Sequence, residues 1–277
     1  MFVFIILVLH TTIAFGQSVR GSSPPFSLKV PKDMREKPPL GRYWALIVGV
    51  SEYKHSSLQP LVHPVEDARE LAKALTQYYA FEQKRLTLLP NPTRAELIGA
   101  LGAYAPKGKN PLGEEDNLLV FYAGHGYWDK DFDEGYWLPS DAEQSNRANW
   151  VSNSDFQNTF KAIKAKHILL IADACFSGSI FSISRGPFIS RAIEETYKLP
   201  SRRAITSGVL TEVPDKSIFK HYLIKRLTEN TEQYLDAGKL HNDIKDPVSN
   251  DGAPRPLHGV IQRIGDQGGE FIFVKRK

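Results

Sequence analysis

Strand-like and helix-like patterns of apolar residues alternate along the chain from residue 41 onward. Nearly continuous apolar runs are typical of strands buried on both faces, whereas apolar residues spaced three and four apart are typical of helices. These patterns predict strands at 43–50, 85–89, 117–123, 167–172, 203–206 and 271–274, and helices at 66–79, 93–104 and 217–228. Because buried strands that alternate with helices form a mostly parallel sheet covered on both faces, we expect an α/β domain.

The first sixteen residues follow a different pattern. Residues 2–9 are eight apolar residues in succession, and residues 14–16 (AFG) resemble an A-x-A cleavage site. The apolar stretch is well short of the roughly 20 residues that span a bilayer. It therefore predicts a signal peptide at 1–16 and an exported protein, secreted or periplasmic, with no membrane contact after removal of the peptide. No Lys or Arg precedes the apolar run, and a buried N-terminal strand is the alternative.

Residues 17–40 are rich in Pro, Ser and Gly and have almost no apolar periodicity. Such a composition predicts a linker or a loosely attached arm. Residues 41–277 show no internal repeat and no second change of composition. We therefore expect them to form one domain.

Charge and cysteine content narrow the possible functions. The 277 residues include 35 Lys and Arg against 31 Asp and Glu. Because this small surplus is not gathered into a long run, we expect no nucleic-acid partner. The single cysteine, Cys175, rules out an intrachain disulfide. A lone thiol in an exported protein is either a small buried residue or a group kept for chemistry.

Two of the predicted strands end in sequences that suggest chemistry. His125 lies between two glycines just past strand 117–123, and Cys175 follows strand 167–172. Ligands of open α/β sheets bind beyond the carboxyl ends of the strands, and neighbouring strands lie about 4.8 Å apart, so the two side chains can meet if these strands pair. His125 would then accept the thiol proton of Cys175, and the N–H groups of Gly126 and Cys175 would bind an oxyanion. Taken singly, a strand-end Cys is usually a small buried residue and His-Gly a common turn.

These residues resemble the motifs of a known family. The sequences YAGHG (122–126) and DACFSG (173–178), with Cys175 50 residues after His125, are similar to the His and Cys motifs of caspase-like cysteine peptidases, whose spacing is about 50 residues. Asp173, where caspases carry Gln, makes the chain more similar to metacaspases and paracaspases. Further similar segments lie at 44–53, 61–72, 135–142, 204–208 and 269–274. The resemblance implies a three-layer α/β/α sandwich with a mostly parallel central sheet of about six strands.

The resemblance also implies a substrate preference. In metacaspases and paracaspases, carboxylates line the pocket for the residue before the scissile bond, which then accepts Arg or Lys. The matching residues here are Asp67, Asp173 and Glu212, with Asp215 as an alternative to Glu212. An acid in the first turn of a helix also favours the helix dipole, which is a second explanation for Asp67.

The family pattern divides residues 41–277 into three parts. These are a large-subunit-like part at 41–178, an intersubunit-like linker at 179–202 and a small-subunit-like part at 203–277. The linker has no clear periodicity, and long loops of that kind are usually functional or disordered. Four basic residues in it are candidate sites of self-cleavage: Arg185, Arg191, Lys198 and Arg202. An intact, merely basic surface loop is the alternative.

No motif for a cofactor or a metal ion is complete. Residues 129–133 begin like a calcium-binding loop, but Glu134 occupies the position of the required Gly and Ser140 that of the bidentate Glu. A solvated acidic loop accounts for this stretch, so we expect no cofactor, with calcium as the alternative.

The predicted activity is cleavage of protein or peptide substrates after Arg, with Lys as a second choice, by a monomer or homodimer. Two other functions are compatible with the fold. One is a catalytically idle caspase-like binding module, against which the intact pair of His125 and Cys175 argues. The other is a cysteine hydrolase of the legumain or gingipain type.

Overall fold

The computed structural model describes residues 41–174, 180–182, 193–208 and 216–277. Its strands are β1 (Tyr43–Gly49), β2 (Phe81–Pro90), β3 (Asn117–Ala123), β4 (Gly126–Asp129), β5 (Glu134–Trp137), β6 (Val151–Ser152), β7 (His167–Asp173), β8 (Phe181–Ser182), β9 (Ser201–Thr206), β10 (Tyr234–Asp236), β11 (Leu257–Ile261) and β12 (Ile272–Val274). Its helices are α1 (Pro64–Tyr78), α2 (Arg94–Gly102), α3 (Asn153–Ala162), α4 (Ile193–Lys198), α5 (Ile218–Thr228) and α6 (Ala237–Asn250). The expected signal peptide and the arm at 17–40 lie outside the described residues.

The central sheet has the strand order β2-β1-β3-β7-β9-β11-β8. The strands from β2 to β9 are parallel, whereas β11 and the two-residue β8 are each antiparallel to the neighbour before them. The expected mostly parallel sheet of about six strands is therefore confirmed, with β8 as a short addition at the edge.

Helices cover both faces of this sheet. On one face, alternate residues of β1, β3 and β7 pack against apolar residues of α1, α5 and α6. On the other face, the intervening residues pack against α2 and α3. Strands that are buried on both faces need apolar side chains at successive positions, which explains the continuous runs in their sequences. The result is the expected α/β/α sandwich.

The carboxyl-terminal part differs from the expectation in its details. The predicted strand at 271–274 forms β12, which pairs with β10 in a separate two-stranded sheet, and β11 joins the central sheet instead. Helix α6 was not predicted, because Pro247 lies inside it and proline usually ends a helix. Its buried residues Leu240, Ile244 and Val248 nevertheless recur at the four-residue spacing of a helix face.

The segment expected as a long loop at 179–202 contains regular structure at its carboxyl-terminal end. Residues 193–198 form the short helix α4, and β9 begins at Ser201. Arg202 is therefore part of a central strand, with a buried guanidinium that donates to the carbonyls of Lys166 and Ser201. A peptidase can reach the bond after Arg202 only if β9 leaves the sheet.

Glu270, just before β12, gives the fold a pH-dependent stability. Its Oε1 accepts a hydrogen bond from the N–H of Phe271, and its Oε2 lies 3.8 Å from Nε2 of His258. Burial raises the pKa of Glu270 to about 8 and lowers that of His258 to about 3. The folded protein thus keeps a proton on Glu270 that the unfolded chain releases near its ordinary pKa of 4.5. The contribution of Glu270 to the free energy of unfolding should therefore fall as the pH rises from 4.5 to about 8, by up to about 1.4 kcal/mol per pH unit.

We expect Glu270→Gln to remove this decline, because Gln has the shape of the protonated acid and cannot ionise. Urea unfolding of wild type and variant at several pH values between about 5 and 8 measures it. The contribution of His258 is present in both proteins, has the opposite sign and is lost as the pH falls below 6.5. Equal pH slopes in the two proteins would refute the assignment.

Candidate active site

The carboxyl ends of β3 and β7 lie side by side at the middle of the sheet. Ala123 is opposite Asp173, and the N–H of Gly124 donates to the carbonyl of Asp173 at 3.4 Å. His125 comes two residues after β3, and the chain after β7 leads through Ala174 to Cys175. Cys175 itself lies outside the described residues, so its pairing with His125 stays a prediction. The structure confirms that the two strands are neighbours, on which that prediction depends.

Two residues hold His125 in place. The Tyr53 hydroxyl accepts a hydrogen bond from the N–H of His125 at 2.8 Å, and the Tyr53 ring lies 4.9 Å from the imidazole. The Nε2–H of His125 donates to the carbonyl of Gln59 at 2.8 Å. This contact leaves Nδ1 as the unprotonated nitrogen of the neutral imidazole. Nδ1 is therefore the atom that can accept a proton.

The loop that carries the Gln59 carbonyl is anchored at both ends. The side chain of Asn91 accepts a hydrogen bond from the N–H of Ser51, whose own carbonyl accepts one from Leu61. The Ser51 hydroxyl also accepts from the N–H of Val65 in the first turn of α1. These bonds fix the position of the backbone carbonyl of Gln59, which accepts the hydrogen bond from His125 whatever the side chain of residue 59 is. No residue type in the sequence could have revealed Gln59.

Gly124 is required by the packing next to His125. A Cβ atom there would lie 3.0 Å from the Tyr122 hydroxyl and 3.2 Å from the Tyr53 hydroxyl. Both hydroxyls are in use, because Tyr122 donates to the carbonyl of His125 and Tyr53 holds its N–H. Gly124 thus leaves room for the hydroxyls of Tyr122 and Tyr53 to form hydrogen bonds with the backbone of His125. Gly126, the other glycine, is the first residue of β4.

Two of the predicted pocket acids lie close together. Asp67, in the first turn of α1, forms an ion pair of 2.5 Å with Lys220 of α5.

Asp173, at the end of β7, is buried, and burial is the main reason why its pKa rises to about 6. The hydroxyls of Ser217 and Ser207 lower this pKa, the charge of Asp67 raises it, and Lys220 lowers it. Burial likewise raises the pKa of Asp67, against the influence of Lys220. The other candidates, Glu212 and Asp215, lie outside the described residues.

The remaining candidates are placed as follows. Lys198 is the last residue of α4, and Arg185 and Arg191 lie outside the described residues. In the loop that begins like a calcium site, Asp129 pairs with Arg147 at 3.0 Å, and Glu134 accepts a hydrogen bond from Ser154 at 2.6 Å. No cluster of metal-ligating side chains is found in the described part of the chain. In the same part, no helix is both long and apolar enough to cross a membrane.

Comparison with known families agrees with this arrangement. The family model of the caspase domain, peptidase family C14, matches residues 42–258, which is most of the chain. The chain belongs to the caspase family. Caspase domains are a family of cysteine peptidases. No curated protein matches the sequence.

Solved structures share the caspase fold at low sequence identity. Caspase-1 from Spodoptera frugiperda is 17% identical with a TM-score of 0.57, and the match covers 80% of this chain and 87% of that one. A protein from Geobacter sulfurreducens is 18% identical with a TM-score of 0.56, covering 79% and 94%. The structure of pro-sf-caspase-1 is 17% identical with a TM-score of 0.53, covering 80% and 88%. At such identities the likeness establishes the caspase fold.

Proposed function

We propose that the chain is an exported caspase-like cysteine endopeptidase, of the metacaspase and paracaspase kind, that cuts after Arg and less readily after Lys. The observation that supports this most is the hydrogen bond from Nε2–H of His125 to the Gln59 carbonyl, which leaves Nδ1 as the proton acceptor of a histidine that follows β3, the strand next to β7. The buried acids Asp67 and Asp173 beside this edge support the preference for a basic residue. Export rests on the apolar segment at residues 2–9.

The proposed reaction proceeds by acyl transfer to Cys175. Nδ1 of His125 takes the thiol proton while the sulfur attacks the carbonyl carbon of the scissile bond. The N–H groups of Gly126 and Cys175 stabilise the oxyanion that forms. The C–N bond then breaks as the leaving amine takes the proton from His125, which leaves a thioester. Water, deprotonated by His125, cleaves the thioester and restores the thiol.

Charge in the pocket supports selection of a cation. Asp173 is buried, and its Oδ1 has no hydrogen-bond partner among the described residues. A buried carboxylate oxygen without a donor is costly, and a substrate guanidinium would supply the donor. An acidic or amide side chain at the same place would leave the carboxylate unpaired or meet it as a like charge. We therefore expect cleavage after Arg and none after Asp or Asn.

A peptide panel tests this function. Purified residues 17–277 would be assayed on fluorogenic peptides that differ only in the residue before the cleaved bond: Arg, Lys, Asp or Asn. The assay would be run with and without a chelator, because we expect the chemistry to need no metal ion. The proposal requires cleavage after Arg to be fastest. Equal rates on Arg and Asp peptides would contradict the pocket, and no cleavage of any peptide would contradict the peptidase.

We also expect self-cleavage between residues 179 and 202. The segment begins a few residues after Cys175, so its effective concentration at an active site is high, and it offers basic residues to an acidic pocket. The burial of Arg202 in β9 makes Arg185, Arg191 and Lys198 the expected sites. Intact-mass spectrometry of incubated protein should show fragments that end at one of them. The same fragments from Cys175→Ala, or no fragments from wild type, would overturn the expectation.

A further inference from the structure

Lys220 forms an ion pair with Asp67, one of the two pocket acids. Its ammonium lies 2.5 Å from Oδ1 of Asp67 and 3.0 Å from Oε2 of Glu70. The side chain of Asp67 is 4% exposed and that of Lys220 17%, whereas that of Glu70 is 47% exposed. The buried carboxylate therefore has a cation from its own chain as its partner. The same cation has a second, more exposed partner on the next turn of α1.

The position of α5 directs Lys220 toward the pocket. Ser217 caps this helix by accepting a hydrogen bond from the N–H of Lys220, and its hydroxyl also lies beside Asp173. The first turn of α5 thus contacts both acids. Asp173 differs from Asp67, because its Oδ1 has no hydrogen-bond partner in the part of the chain that the structure describes. Among the described residues, therefore, Asp67 has a cation as its partner and one carboxylate oxygen of Asp173 has no donor.

A substrate cation that binds Asp67 must displace the ammonium of Lys220 from this carboxylate. The lysine can give up Asp67 and keep Glu70, because a flexible four-carbon stem carries its ammonium and both partners are within reach. An incoming Lys side chain would replace one ammonium by another, so the exchange gains little. An incoming Arg side chain presents a planar fork that can bond a carboxylate through two parallel N–H groups, which one ammonium cannot do.

We propose that Lys220 is a specificity-determining residue that competes with the substrate's basic side chain for Asp67 and so favours Arg over Lys. This inference rests on the proposed function, which it deepens by assigning the preference between the two basic residues. Lys220 raises KM for both substrates, and it raises KM more for Lys than for Arg.

The test compares Lys220→Met with Lys225→Met, which removes the same charge from an exposed position of the same helix. Both are assayed on Arg and Lys peptides. We expect Lys220→Met to lower the Arg-to-Lys ratio of kcat/KM on the order of tenfold, equivalent to about 1.4 kcal/mol, chiefly through KM for the Lys peptide. Lys225→Met should keep the wild-type ratio. In an Asp67→Asn background, Lys220→Met should change the ratio little, because the carboxylate for which Lys220 and the substrate compete is then absent.

An unchanged ratio in a folded Lys220→Met enzyme that cuts after Arg would overturn this inference and leave the proposed function standing. If Lys220→Met does not fold, Lys220→Arg replaces it. A resident guanidinium should hold Asp67 more tightly and raise KM for both peptides, and an unchanged KM would overturn the inference. Peptide binding to Cys175→Ala, with and without Lys220→Met, separates the two claims. If peptides bind but the wild type does not cut them, only the proposed peptidase activity is refuted. If Lys220→Met does not improve binding of the Lys peptide, the proposed role of Lys220 is refuted.

Discussion

Cys175→Ala and His125→Ala should each abolish peptide cleavage and leave the fold intact. In the proposed reaction Cys175 supplies the attacking sulfur, so its removal should bring activity to the background of the assay. A general base contributes roughly 10²–10⁴-fold, so His125→Ala should lose activity in that range. The fold should persist because the backbone bonds of His125 to Tyr53 and Tyr122 do not involve the imidazole.

His55→Ala is the matched control for this pair. His55 is exposed and lies on the same loop as Tyr53 and Gln59, but the structure gives its side chain no role at the site. Steady-state kinetics of the three variants, with circular dichroism and thermal unfolding as checks on the fold, measures the effect. More than a few per cent of wild-type activity in either dyad variant, with contamination excluded, would refute the dyad.

Asp173→Asn should lower kcat/KM for Arg peptides roughly tenfold to hundredfold. A hydrogen bond between a charged carboxylate and a guanidinium contributes about 1.5–3 kcal/mol, and each 1.4 kcal/mol is a factor of ten. Stability should not fall with activity. Burial raises the pKa of Asp173 to about 6, so the fold disfavours the ionised carboxylate that is present above that pH. A neutral Asn should then leave the free energy of unfolding at pH 7 unchanged or higher.

The pH dependence gives the same prediction a second test. Ionised Asp173 is the form that attracts a guanidinium, and it becomes the main form as the pH rises through about 6. The ratio of kcat/KM between wild type and Asp173→Asn should therefore rise across this pH and then level off. Asp131→Asn, an exposed acid of the hairpin between β4 and β5, serves as the control. A pH-independent ratio, or an equal loss in Asp131→Asn, would show that Asp173 does not bind the substrate cation.

The sequence predicted the centre of the fold better than its edges. Strands β3 and β7 are buried on both faces and lie in the middle of the sheet, so their apolar runs are nearly unbroken and their neighbouring carboxyl ends could be anticipated. β11 is a short strand that contains His258 and Gly259, and only part of it is buried. Its five residues carry too weak an alternation to predict a strand.

The site was predictable where chemistry depends on residue type and unpredictable where it depends on position. His125 could be found because an imidazole between two glycines follows a buried strand, and Asp173 because the resemblance to metacaspases and paracaspases implies a pocket acid there. The carbonyl of Gln59 has no such signal, because every residue has one. Tyr53 lies in a segment that resembles the family, but its hydrogen bond to His125 requires the fold. Lys220 comes 47 residues after Asp173, and only the packing of α5 against α1 brings it to Asp67.

Covalent labelling tests the central claim most directly. Wild-type protein and His125→Ala would be treated with chloromethylketone peptides that end in Arg or in Asp, and the modified residue identified by peptide mass spectrometry. We expect the Arg probe to label Cys175 of the wild type rapidly, the Asp probe to label it far more slowly, and the loss of His125 to slow both. Failure of the Arg probe to label Cys175, or equal labelling by both probes, would contradict a His-activated thiol beside a pocket for Arg.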